Sequence, residues 1–184
     1  ALEDNGNYVA VWESLDQDGS GYGIYAQRYD DSGTPQGSET LINGTTTNDQ
    51  RFPAIAMDNS GNYTIVWQSL DQDSDGWGIY ARRYDNAGTA LSSEFLVNTT
   101  TSGQQRFPDI AMDTNGGLAI VWESDFDVYL QRYDNTGLVQ GTETLVNTTT
   151  SSSQHLPRVA MDSDGDFVIT WQSLGQDGDG YGIY

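Results

Sequence analysis

Cysteine is absent from this chain of 184 residues. That removes a disulfide scaffold and any thiolate-held zinc. Lysine is absent too: the 7 basic residues are all arginine, against 27 acidic ones. The resulting net charge of -20 repels other polyanions, which excludes nucleic acid and anionic membrane surfaces as partners. No run of about 18 apolar residues occurs, so no membrane-inserting helix is expected. There is one histidine, His155, and no HExxH, nucleophile elbow or phosphate loop. No signal peptide or initiator methionine is visible at the start.

What is present is repetition. Trp12, Trp67, Trp122 and Trp171 stand 55, 55 and 49 residues apart. Their surroundings read "YVAVWES", "YTIVWQS", "LAIVWES" and "FVITWQS". Other phrases recur in register: "GIYAQRYD" with "GIYARRYD", "ETLIN" with "EFLVN", "RFPAIAMD" with "RFPDIAMD" and "LPRVAMD". The shorter step reflects one deletion, where "SLDQDSDGWGIY" becomes "SDFDVY" at Ser124 to Tyr129. A fixed period of this kind means stacked supersecondary units that share a core. The array fills 1–184, with approximate units 1–51, 52–106, 107–155 and 156–184, the first and last incomplete. The opening "ALEDNG" matches the middle of a unit, which points to a piece of something longer.

Each unit reads as four antiparallel strands separated by Asp/Asn/Gly turns, with no helical period anywhere. The expected fold is therefore all-β, with β-propeller-type four-stranded blades. The "FPAIAMD" strand lies innermost, where Ala54 and Ala56 suit a crowded axis. The Trp strand comes second, "YARRYD" third and "SEFLVN" outermost. About three and a half blades fit in the chain. This predicts a partial propeller, or half of a seven-bladed ring closed by two copies, and hence a homo-oligomer or a longer repeat chain.

The phrase "GNYTIVWQSLDQDSDGWGIYARRYDNAGTALSSEFLVNTTT" resembles a repeat of very large secreted bacterial adhesin-like proteins, which also carry cadherin-like and calcium-binding modules. The resemblance implies a secreted or cell-surface bacterial protein with an adhesion, matrix or binding role.

The acidic hairpin tips are the first candidate site. An EF-hand loop offers oxygen ligands at positions 1, 3, 5 and 7, Gly at 6 and Glu at 12. Asp71, Asp73, Asp75, Gly76 and the Trp77 carbonyl follow this pattern, but Arg82 stands where Glu is needed. The first unit offers Asp16, Asp18 and Ser20, and the last offers Asp177 and Asp179, with Gly175 replacing the first ligand. Ca2+ is the expected ion, completed by a carboxylate from another turn; a solvated turn accounts for the same residues. Tyr22, Trp77 and Tyr181, each between two glycines, are candidates for stacking on sugars, against a structural role anchoring the hairpin. The turn Asp162 to Asp166 reads as structural. Arg28, Arg83 and Arg132, and Arg51 and Arg106, recur beside Glu39, Glu94 and Glu143 and read as cross-strand or interblade ion pairs. His155 occupies an arginine position.

Catalysis needs one local constellation of unlike groups, and such a site breaks repeat symmetry. The copied polar residues therefore predict a protein that is not an enzyme and has no catalytic residues. The expected function is an extracellular binding or scaffolding module with calcium in its loops and a glycan or protein partner. The alternative is a carbohydrate-binding propeller lectin with one site per blade, and a glycosidase or lyase fragment comes third.

Overall fold

Side chains alternate between the two faces of a strand. Along the second Trp strand both faces are apolar: Tyr63, Ile65 and Trp67 on one, Val66 on the other, all buried. A strand buried on both faces lies between two sheets. A computed structural model describing residues 1–184 has this arrangement, with strands throughout and no helix.

The first sheet orders β1 (Tyr8–Leu15), β2 (Tyr22–Tyr29) and β3 (Thr40–Leu41). The second orders β4 (Gln50–Met57), β5 (Tyr63–Leu70), β6 (Trp77–Tyr84) and β7 (Phe95–Leu96). The third orders β8 (Gln105–Met112), β9 (Leu118–Ser124), β10 (Asp127–Tyr133) and β11 (Val139–Leu145). The fourth orders β12 (Gln154–Met161), β13 (Phe167–Leu174) and β14 (Tyr181–Ile183). Every pairing is antiparallel. The fold is all-β, of β-propeller type: two complete four-stranded blades between two of three strands. Inner strands β4, β8 and β12 neighbour one another and line the axis.

Successive blades pack by one rule. Val9, Ile24, Ala26 and Ile42 of the first blade meet Tyr63, Ile65, Trp67 and Tyr80 of the second. Val66, Ile79, Ala81 and Val97 then meet Leu118, Ile120, Trp122 and Tyr133 of the third. The leading face of each seam is small or β-branched and the trailing face is bulky. The two end blades carry the same faces uncovered. Val168 and Ile183 are 60% and 72% exposed. Tyr8 and Tyr29 stack at 4.8 Å yet stay half-buried, whereas Tyr63 and Tyr84 stack at 5.1 Å and are buried.

β3 and β7 are only two residues long. What ties the outer segment to the blade is one buried asparagine per repeat. Asn43, Asn98 and Asn147 accept from the N–H of Ile24, Ile79 and Val128, each at 2.7 Å. Their amide nitrogens donate to the carbonyls of Thr45, Thr100 and Thr149 at 2.9, 2.9 and 3.0 Å. The recurring "LIN", "LVN" and "LVN" phrases are this latch.

Each aspartate turn is braced by its own first side chain. Asp85 Oδ1 accepts from the N–H groups of Ala87 and Thr89 at 3.0 and 2.7 Å. These bonds hold its carboxyl below the ordinary value of 3.8; Asp30 and Asp134, hydrogen-bonded first to Ser32 and Thr136, are lowered likewise. A carboxyl depressed by folding stabilises the native state above its unfolded pKa, and that support is lost as pH falls through the folded value. The melting temperature is therefore expected to fall as pH drops below 3.8, and the fall is expected to be shallower in Asp85→Asn, which keeps the acceptor without the charge. A flat profile across that window in thermal unfolding would count against this account.

Candidate functional site

Each inner strand carries a bulge near its start, where the register shifts between Arg51 and Ala54, Arg106 and Asp109, and His155 and Arg158. Phe52, Phe107 and Leu156 sit within these bulges at φ of +54°, +52° and +48°. A non-glycine residue in this left-handed region costs about 1–3 kcal/mol and persists only when its surroundings hold it. Side chains of the preceding blade do so for Phe52 and Phe107. The Phe52 N–H donates to Glu13 Oε2 at 3.1 Å, and the Phe107 N–H donates to Gln68 Oε1 at 3.0 Å. Glu13 also receives Arg51 through two bonds, 2.7 and 3.3 Å long. Burial opposes the charge on Glu13, but Arg51 and the Phe52 N–H outweigh it and hold the carboxyl below its ordinary range. In the fourth blade His155 Nδ1 stands 2.9 Å from Glu123 Oε2.

The bulge turns its side chain out of the sheet. Phe52 and Leu156 are 44% and 38% exposed, and Phe52 meets Phe107 edge to face at 5.0 Å. Together with Pro53, Pro108 and the next residue of each strand they line a pocket of about 310 Å³ beside the axis. That next residue is Ala54, Asp109 or Arg158, paired in the same register with Val66, Val121 or Thr170. Here the repeats stop agreeing: three successive blades offer a methyl, a carboxylate and a guanidinium. Asp109 Oδ2 accepts from the Val159 N–H of the neighbouring blade at 2.9 Å. Arg158 is exposed and donates to the Pro157 carbonyl at 2.8 Å. Aromatic and proline surface beside a few convergent polar groups suits a small polar ring compound.

The residues singled out in the sequence lie elsewhere and in separate blades. Tyr22 is capped by the Arg51 guanidinium, 4.2 Å from its ring centre. Trp77 is half-buried at the start of β6. Tyr181 is exposed, 6.0 Å from the His155 ring. In the acidic tips the N–H groups of Asp16, Asp71 and Gly175 donate to the carbonyls of Gly21, Gly76 and Gly180, all at 2.6 Å. All three have positive φ, between 58° and 70°, so Gly175 replaces aspartate at no conformational cost. Asp18 Oδ1 accepts from the Ser20 N–H at 3.3 Å, Asp75 Oδ2 from the Gly103 N–H at 3.2 Å, and Asp177 Oδ1 from the Asp179 N–H at 3.4 Å. The carboxylate oxygens of Asp73 are sealed without a partner. No three acidic or histidine side chains converge at these tips.

The expected pairs of the recurring arginines with Glu39, Glu94 and Glu143 do not form. Arg51 pairs across a seam, with Glu13. Arg28 and Arg83 instead donate to the carbonyls of Ala87 and Asn135, at 2.6 and 2.5 Å. Glu94 and Glu143 accept from Gly44, Thr45, Thr99 and Thr100. Phe52, Phe107, Leu156, Asp109 and Arg158 were missed as a site. Their signal was present as "RFPA", "RFPD" and "HLPR": the first two phrases differ only at Ala54 and Asp109, and the third keeps only the proline and places Arg158 at that same position.

No family model matches the sequence, and the curated proteins give no match. Solved structures are similar in fold. An endo-arabinase from Bacteroides thetaiotaomicron superposes with a TM-score of 0.55 at 15% identity, over 97% of this chain and 70% of that one. An alpha-L-arabinanase from Penicillium chrysogenum, solved with arabinobiose, gives 0.63 at 16% identity, over 99% of this chain and 54% of that one. A GH43 protein from Bacillus licheniformis gives 0.50 at 7% identity, over 92% of this chain and 35% of that one. This chain thus spans little more than half of the Penicillium protein and about a third of the Bacillus one.

The expectation that the chain is not an enzyme is corrected by these matches, because arabinan-degrading enzymes share its architecture. Its premise fails as well. Polar groups are copied evenly along the seams and turns but not at the axis, where Asp109 and Arg158 each occur once.

Proposed function

We propose that this chain is a carbohydrate-recognising propeller segment whose glycan site is the axial pocket. The observation that carries this reading is the break in repeat symmetry at Ala54, Asp109 and Arg158, beside exposed aromatic surface held out by strained bulges. Strained non-glycine backbone clusters at ligand clamps, which supports a binding role for the bulges. The Phe52 and Phe107 rings offer apolar faces to a sugar, and Asp109 and Arg158 offer an acceptor and donors for its hydroxyls. The charge of -20 favours neutral glycans over acidic ones. Arabinobiose, bound by the Penicillium protein, is the first probe. An extracellular setting, implied by the resemblance to secreted bacterial repeats, belongs to the same proposal.

Calorimetric titration with arabinobiose and xylobiose tests it. Phe107→Ala is expected to weaken binding about tenfold or more, equivalent to at least ~1.4 kcal/mol. Asp109→Asn is expected to do the same while leaving the melting temperature nearly unchanged. Unaltered binding in both variants would defeat the axial assignment.

A further inference from the structure

A second cavity lies far out along the first seam. It measures about 390 Å³ and is lined by Arg28, Gln36, Thr40, Ile42, Tyr63 and Tyr84, among others. One residue there differs sharply in size from its counterpart in the next seam. Thr40 pairs with Ala26, as Phe95 pairs with Ala81 in the next blade. Phe95 fills the second seam and meets the Tyr133 ring edge to face at 5.7 Å. Thr40 is too short to reach the corresponding Tyr84, and the space stays open.

The walls are equipped for hydroxyl groups. Tyr63 is only 4% exposed, and its hydroxyl makes no hydrogen bond within the chain. It stands beside Gly88 at the cavity wall, where an added Cβ would lie 3.5 Å from it and 3.1 Å from Arg28 Cδ. Burial pushes the Tyr63 phenol up, so it remains a donor at neutral pH. Arg28 is fixed by its bond to the Ala87 carbonyl, with further N–H groups to offer. Gln36 Nε2 is engaged by Asp30 and Thr34, leaving its carbonyl as an acceptor. Ile42 and the two tyrosine rings, stacked at 5.1 Å and themselves buried, form the rigid back of the cavity.

We propose that the cavity between the first and second blades is a separate binding site for one or two units of a neutral sugar. This extends the reading of the chain as carbohydrate-recognising and gives it two sites of different construction. The cavity has both donors and acceptors, as a polyol needs, and the chain's -20 charge opposes an anionic occupant.

Thr40→Phe is the test. It places at this seam the side chain that the next seam already holds, so the variant is expected to fold, which thermal unfolding verifies. In titrations with arabinobiose and xylobiose the native chain is expected to show two binding events. Thr40→Phe is expected to remove one or weaken it at least about tenfold. The double variant Phe107→Ala, Asp109→Asn is expected to remove the other. Sugar-induced amide shifts at Thr40 and Tyr63 are expected in the native chain and absent in Thr40→Phe. If Thr40→Phe keeps both events, or if neither sugar shifts these amides, the proposal is overturned. A single event lost only in Thr40→Phe sustains this site and removes the axial one. A single event lost only in the double variant does the reverse.

Discussion

Trp67→Ala is expected to destabilise the chain by about 3–5 kcal/mol. Trp67 is fully buried at the centre of the first seam, against the small residues of the blade before it. Removing the indole leaves a cavity that two rigid sheets cannot close. At about 2–4 °C per kcal/mol for a chain of this size, the melting temperature should drop by roughly 6–20 °C. Trp12 occupies the same repeat position in the first blade, where no sheet covers it, and is only half-buried. Trp12→Ala should therefore cost much less, and the difference isolates the seam from the strand. Trp67→Phe should fall between, since it also removes a buried indole N–H that has no partner. Thermal and urea unfolding of the three variants would refute the blade-on-blade core if Trp12→Ala and Trp67→Ala lost equal stability.

Asn98→Ala is the second large effect. Its side chain is buried and satisfies the Ile79 N–H at 2.7 Å and the Thr100 carbonyl at 2.9 Å. Truncation leaves both groups without that partner, at a cost of about 1–3 kcal/mol for each that stays sealed from water. The damage should be local first, because β7 holds the outer segment by only two residues. Hydrogen exchange is expected to speed up at the amides of Ile79 and Val97 before the rest of the blade is affected. Unchanged protection at Ile79 would show that the latch carries no load.

The blades were legible because their cause is local: alternation in "YTIVWQS", turn residues such as Asp85 and Gly88, and a constant period. The outer-strand latch was not, although an asparagine at the position of Asn98 recurs in every full unit. Its function depends on a hydrogen bond to Ile79, nineteen positions earlier. Arg28 was misassigned for a related reason. A repeated arginine invites a charged partner, but the nearest acceptor turned out to be a carbonyl of the next blade's turn. The axial pocket was readable in principle, because aligned phrases that agree at Ala56 and Ala111 disagree at Ala54 and Asp109. What hid it was attention to what the repeats share. The bulge geometry that throws Phe52 outward is set by Glu13, on another blade, and no single repeat contains that information.

The seams also have a direction. Each joins a smooth aliphatic surface to a knobbly aromatic one, and the two ends of the arc present one of each. Any neighbour that fits Val168 and Ile183 must bring tyrosine and tryptophan, and any neighbour that fits Tyr8 and Trp12 must bring valine and isoleucine. If such an array grows, the two faces favour vectorial addition, like bricks with a tongue and a groove, over mirror-wise pairing of two like ends.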